Sequence, residues 1–327
     1  MAVRIGLNNK KEKVMNKRIM LVIVCIAAVL VTSAVVSIAQ NSGEYDGNNF
    51  IPSPTFAPIY PTLPHRFRDA KTIRILCQAP PGAIKKALMP PLEPAGSGDL
   101  FTILVGSVGD VNDGGFAAHE TAINTSVMYK GRLGTTTIIE YIDTDMGLVA
   151  GREVYGWPKK MGETTWLERR DGWSVMINKM RDQGSIPLIK IDYKYTDTPS
   201  NAQWPEGGPT LLVRRIPPAS RTMKVLNQLV CVGCSRLEDA GIPLIGAEPS
   251  SKPAGKPAGK PESKPQSQRL ETAGIATVQF FDGPWDPLTM FGPVKVLDAR
   301  MSISQGGGTG TGGLGVGEVL DQWESDE

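Results

Sequence analysis

Strand-length runs rich in Val, Ile, Thr and aromatic residues recur from residue 73 to residue 303, and several are joined by two-residue turn signals. A chain patterned this way is committed to sheets assembled from hairpins. Period-two alternation cannot settle into a helix, and Gly-containing dipeptides reverse the chain within two residues. Residues 164–168 and 173–177 flank Asp171-Gly172, and residues 126–129 and 135–142 flank Lys130-Gly131. Further strand signals lie at 73–77, 186–195, 211–216, 223–232, 277–281 and 294–303. The expected architecture is mainly β (α+β), an antiparallel sheet or barrel with few short helices. Only residues 83–89 and 145–155 read as helices.

The second helix has well-marked ends. Thr144 or Asp145 can cap its start, Gly156 stands where a left-handed residue closes a helix, and Pro158 stops it. Lys159 and Lys160 therefore emerge together at a defined chain reversal. A lysine becomes a nucleophile near neutral pH when a neighbouring cation or burial in an apolar pocket pushes its pKa down. If Lys159 opens a strand, Lys160 points to the opposite face. Burial is then at least as strong a cause of activation as crowding of the two ammonium groups.

Charge says little about partners. With 35 basic and 33 acidic residues the formal net charge is +2, and nothing demands a nucleic acid. The amino terminus says more: residues 1–19 carry Lys10, Lys11, Lys13, Lys17 and Arg18, and residues 20–39 form an uncharged apolar run. A helix of that length crosses about 30 Å of hydrocarbon, with its basic flank on the cytoplasmic side. The expectation is a transmembrane anchor holding the globular domain on the extracytoplasmic side. Ser37-Ile38-Ala39 also suits a signal peptidase, which would release a secreted domain.

Residues 40–54 read as a tether, the Lys-Pro repeats of 249–268 as an extended solvated insert, and 305–327 as a Gly-rich flexible tail lacking phosphate-loop spacing. The spacing of Cys231 and Cys234 fits unpaired strand-end thiols, a small disulfide, or a redox or metal role.

The stretch Gly151, Arg152, Glu153 leading to Pro158, Lys159, Lys160 and Gly162 resembles the hallmark of the acetoacetate decarboxylase family. Weaker likenesses follow in the family's order at Pro58 to Pro61, at 84–93, at 210–216, and at Gly283-Pro284 with Gly292 to Lys295. The resemblance spans residues 55–304 and implies a cone-like or barrel-like domain that assembles into homo-oligomers. It implies a lysine Schiff base with a small oxo acid, and no metal, nucleotide or flavin cofactor. It makes Lys159 the amine, Lys160 a modulator of its pKa, and Glu120, within Ala118-His-Glu-Thr-Ala122, the pocket acid. Arg152 and Glu153 either touch substrate or form ion pairs at the helix end. The family's pocket arginine and second glutamate fall on Ala70 and Val105, where this chain has neither.

An iminium accepts electrons better than a carbonyl, so a β-keto acid bound this way can release CO₂. Acetoacetate or a related β-keto acid is the expected substrate. Two alternatives stay open: aldol or dehydration chemistry on an oxo acid, and a membrane-tethered binding protein of the same fold without turnover.

Overall fold

The computed structural model describes residues 56–60, 67–111, 117–181, 184–205, 207–220, 222–232, 234, 269–304 and 318–325. The first half runs β1 (Phe67–Gln78), α1 (Ala83–Ala87), β2 (Glu93–Pro94), β3 (Leu100–Val111), β4 (Ala118–Tyr129), β5 (Arg132–Ile142) and α2 (Asp145–Ala150). A π-helical turn (Gly151–Tyr155) continues α2 and delivers the chain to β6 (Lys159–Met161). Then come β7 (Glu163–Arg169), β8 (Gly172–Arg181), β9 (Gly184–Tyr195), β10 (Thr210–Ile216), β11 (Val225–Val232) and β12 (Arg269–Phe280). The short β13 (Asp282–Gly283) and β14 (Asp286–Pro287) precede a 3₁₀ turn (Leu288–Phe291), β15 (Lys295–Ser304) and β16 (Glu318–Ser325).

Hairpin chemistry places the strands as the turn signals require. Lys130 and Gly131 have φ of 47° and 78°, the paired positive values of a tight hairpin turn, and they set Tyr129 opposite Arg132. Asp171 lies in the reversal between β7 and β8.

The expected closed antiparallel barrel or cone is not what forms. Fourteen strands make one mixed, open sheet among the described residues, ordered β16-β11-β10-β5-β4-β3-β1-β15-β12-β9-β8-β7, with β2 added to β4 and β6 to β5. Both departures from antiparallel pairing occur at β5, where β6 and β10 join in parallel. At β6 the physical cause is α2: a helical crossover returns the chain to the sheet in the direction it left, which a two-residue hairpin cannot do. A second correction concerns the carboxyl end. Residues 318–325 are strand β16, paired antiparallel with β11, where a flexible tail was expected.

Alternation splits the strands into two faces. Ile73, Ile75, Ile103, Val105 and Ile123 are fully buried against Trp173, Val175, Ile177, Ile189, Ile191 and Met301 of β8, β9 and β15. Each such side chain contributes about 1.5–3 kcal/mol by leaving water. The opposite face of β1, β3, β4 and β5 lines a cavity.

The apolar segment 20–39, the tether 40–54 and the Lys/Pro-rich insert 249–268 lie outside the described residues. No helix among the described residues is long and apolar enough to cross a membrane.

Candidate functional site

Local sequence fixes where Lys159 emerges. Thr144 caps α2, its Oγ1 accepting from the Gly147 N–H at 3.4 Å. The chain leaves the π-helical turn through Gly156, whose φ of +82° suits glycine, and whose absent Cβ would stand 2.7 Å from the Arg214 Cα. Gly151 has a more direct role. A Cβ there would lie 2.5 Å from both Cδ and Cε of Lys159, so only glycine lets the lysine stem rest against the helical turn. The Arg152 guanidinium donates to the Lys159 carbonyl at 3.0 Å and fixes the backbone from outside.

Strand register then assembles a row across the sheet. Arg74, Leu104, Ala122, Glu140 and Lys159 are successive cross-strand partners on β1, β3, β4, β5 and β6. Glu120 stands one pair along β4 from this row, beside Gly106, which leaves room for its side chain. The Lys159 Nζ lies 2.6 Å from Glu140 Oε1 and 3.5 Å from Glu120 Oε2. Lys159 is 8% exposed and Glu140 4%. The ammonium also sits 5.8 Å over the Trp157 ring. Trp157 is oriented by its indole N–H, which donates to Thr137 Oγ1 at 3.1 Å.

The electrostatics reverse one expectation. Burial pushes the Lys159 pKa down, as expected, but Glu140 and Glu120 outweigh it and hold the amine above the usual lysine range. Burial pushes the Glu140 carboxyl up to about 8; the Lys159 charge opposes this and the Glu120 carboxylate adds to it. Glu140 therefore keeps a proton near neutrality.

Lys160 takes the other face. Its Nζ donates to Asp286 Oδ1 and to the Trp285 carbonyl, each at 2.7 Å, and it is not among the cavity-lining residues. Asp286 is fully buried and also pairs with Lys179 and with the Tyr141 hydroxyl. With its charge balanced there, Lys160 exerts little push on Lys159. Arg152 and Glu153 are exposed and do not line the cavity. Glu153 accepts from the Tyr60 hydroxyl at 3.3 Å.

The cavity has a volume of about 650 Å³. Ala70 lines it, as does Arg74 four residues along the same face of β1, paired with Glu271 at 3.6 Å. Val105 points into the core on the opposite face. The second carboxyl of the cluster comes from Glu140, which sequence reasoning passed over inside a strand. Its one signal was a lone carboxylate in the uncharged run of residues 133–142. Cys231 and Cys234 form a disulfide.

Residues 51–310 match the family described as Acetoacetate decarboxylase (ADC). The chain is 25% identical over 172 residues to an acetoacetate decarboxylase of Streptomyces nogalater, a match covering 50% of this chain and 66% of that protein. Among solved structures, the acetoacetate decarboxylase of Legionella pneumophila shares the fold with a TM-score of 0.59 at 18% identity, over 86% of this chain and 98% of that one. The enduracididine biosynthesis enzyme MppR, complexed with the condensation product of pyruvate and imidazole 4-carboxaldehyde, gives 0.55 at 13% identity, over 83% and 93%. With four-fifths of its length matched in this way, the chain belongs to the acetoacetate decarboxylase family.

Proposed function

We propose that the protein is a Schiff-base decarboxylase of a β-keto acid, with Lys159 as the nucleophile. The observation that carries this reading is the buried Lys159–Glu140 pair, with the half-buried Glu120 beside it, facing a cavity. The carboxyl pair takes the Lys159 proton as substrate arrives, and the free amine adds to the keto carbon. The carboxyl pair returns a proton to the carbinolamine hydroxyl, and water leaves to give an iminium. The bond to the carboxylate breaks, its electron pair moves toward the iminium nitrogen, and CO₂ departs, leaving an enamine. The carboxyl pair protonates the enamine carbon, and water hydrolyses the new iminium to release a ketone and the free lysine. Glu140 is the inner acid, and Glu120, the more exposed of the two, relays protons to the cavity.

Borohydride reduction in the presence of acetoacetate, followed by peptide mass mapping, tests the nucleophile. The expected result is a reduced adduct on Lys159 together with release of CO₂ and acetone in the unreduced reaction. Modification of another lysine, or none, removes the reading. An adduct without CO₂ favours aldol or dehydration chemistry, a second reading supported by the condensation product in the MppR complex.

We further place the domain on the extracytoplasmic side of a membrane, anchored or released by residues 20–39. The support is the buried Cys231–Cys234 disulfide, a bond that persists in oxidising compartments. Protease added to intact cells should digest the domain, and its protection would overturn this placement.

A further inference from the structure

The two faces of β3 and β4 use β-branched residues for different ends. Toward the core stand Ile103, Val105 and Ile123, all fully buried. Toward the cavity the same strands and β5 present Thr102, Asn124, Ser126, Thr135 and Thr136. Strand propensity does not require this, since valine fills the same volume as threonine and favours strands equally. The hydroxyls of Thr102, Ser126, Thr135 and Thr136 make no protein hydrogen bond among the described residues and, as part of the cavity lining, are not sealed away from a ligand. Asn124 accepts from the Thr137 hydroxyl at 2.7 Å, which occupies its carbonyl oxygen and leaves its NH₂ donors without a partner. Thr136 is 4% exposed.

These groups are segregated along the cavity. The lining runs from Ala118 to Ser126 on β4, roughly 25 Å of strand. Lys159 is in register with Ala122, midway. On one side lie Ala70, Val108, Ala118, Ile142 and Met146, an apolar lobe. On the other lies the lobe that carries these hydroxyl and amide groups, with Leu100 and Phe101 also in its lining. A volume of about 650 Å³ is in the range that holds drug-sized ligands, far more than a four-carbon acid fills.

We propose that the substrate is an extended oxo acid whose keto carbon carries a hydroxyl- or amide-bearing chain, seated in the lobe formed by Thr102, Asn124, Ser126, Thr135 and Thr136. The inference rests on the Schiff-base reading for the position of the keto carbon at Lys159. The chain's polar groups hydrogen-bond to the Asn124 NH₂ and the threonine hydroxyls.

The test uses the full chain with acetoacetate, 3-oxohexanoate and 5-hydroxy-3-oxohexanoate, measuring both equilibrium binding by calorimetry and half-saturation of borohydride trapping. The hydroxylated acid is expected to bind at least about tenfold more tightly than 3-oxohexanoate, the value of one well-made hydrogen bond. Asn124→Leu, or the near-isosteric Thr136→Val if the leucine variant fails to fold, should bring that ratio close to one. Equal affinity for the two six-carbon acids, or a ratio untouched by both variants, overturns the lobe assignment. An adduct that forms equally with all three acids leaves the Schiff base intact and removes the lobe. Selective, Asn124-dependent binding without an adduct does the reverse.

Discussion

Lys159→Arg is expected to lower kcat/KM for β-keto acid decarboxylation by about 10³-fold or more, ~4 kcal/mol of barrier, while the protein still folds. Arginine keeps the positive charge opposite Glu140 and Glu120. It therefore avoids the penalty of several kcal/mol that follows when a buried charge loses its partner. It cannot supply a neutral amine, because a guanidinium stays protonated under all working conditions. CO₂ release and the mass of the borohydride adduct report the chemistry, and thermal melting reports the fold. Retained turnover in a folded Lys159→Arg protein would falsify the choice of nucleophile.

Glu140→Gln separates binding from proton transfer. The amide keeps the size of the carboxyl but can neither take the Lys159 proton nor return one to the enamine. Turnover should fall by about 10²–10⁴-fold, the usual worth of a positioned acid or base. Trapping should persist, since losing one carboxylate removes a cause that holds Lys159 above its usual range. The same variant tests the titration. Between the ordinary carboxyl value of 4.5 and about 8, the folded chain keeps a proton on Glu140 that the unfolded chain has released. Folding stability contributed by that proton is complete below the lower value and lost as pH rises through the upper one. Melting temperatures measured from pH 5 to pH 8 should therefore fall more steeply for the parent protein than for Glu140→Gln. Parallel slopes would show that Glu140 does not hold the proton.

The elements that sequence revealed are those whose cause is local. The Lys130-Gly131 and Asp171-Gly172 turns, the Thr144 cap and the glycine and proline after the second helix act within a few residues, and the structure places chain reversals and the helix at those points. The opposite directions of Lys159 and Lys160 followed from alternation alone, and the structure has that arrangement. What escaped depends on distant partners. Glu140 became a site residue only through the parallel pairing of β5 with β6, a contact that no hairpin rule specifies. β16 was hidden because its acidic residues follow a glycine-rich run, and it is stabilised as a strand by β11, far away in sequence. β3 was missed as well, since Gly106 and Gly109 interrupt its apolar pattern. One of those glycines makes room for Glu120. A residue that weakens a strand signal thus served the site.

Two identical neighbours create an ambiguity for any strand that carries them. Sliding β6 by one residue would bring Lys160 opposite Glu140 in one direction and Lys159 beside Asp286 in the other, so each acidic site can accept either lysine and its charge alone does not tell them apart. Gly162 makes the choice. A Cβ at its position would meet Tyr141 Cβ at 3.0 Å and the Asn178 carbonyl oxygen at 3.4 Å. Slippage in one direction would bring Met161 into that gap, and in the other Glu163. A residue with no side chain thereby decides which of two equal lysines enters the cavity, and the pair is made unequal by the space next to it.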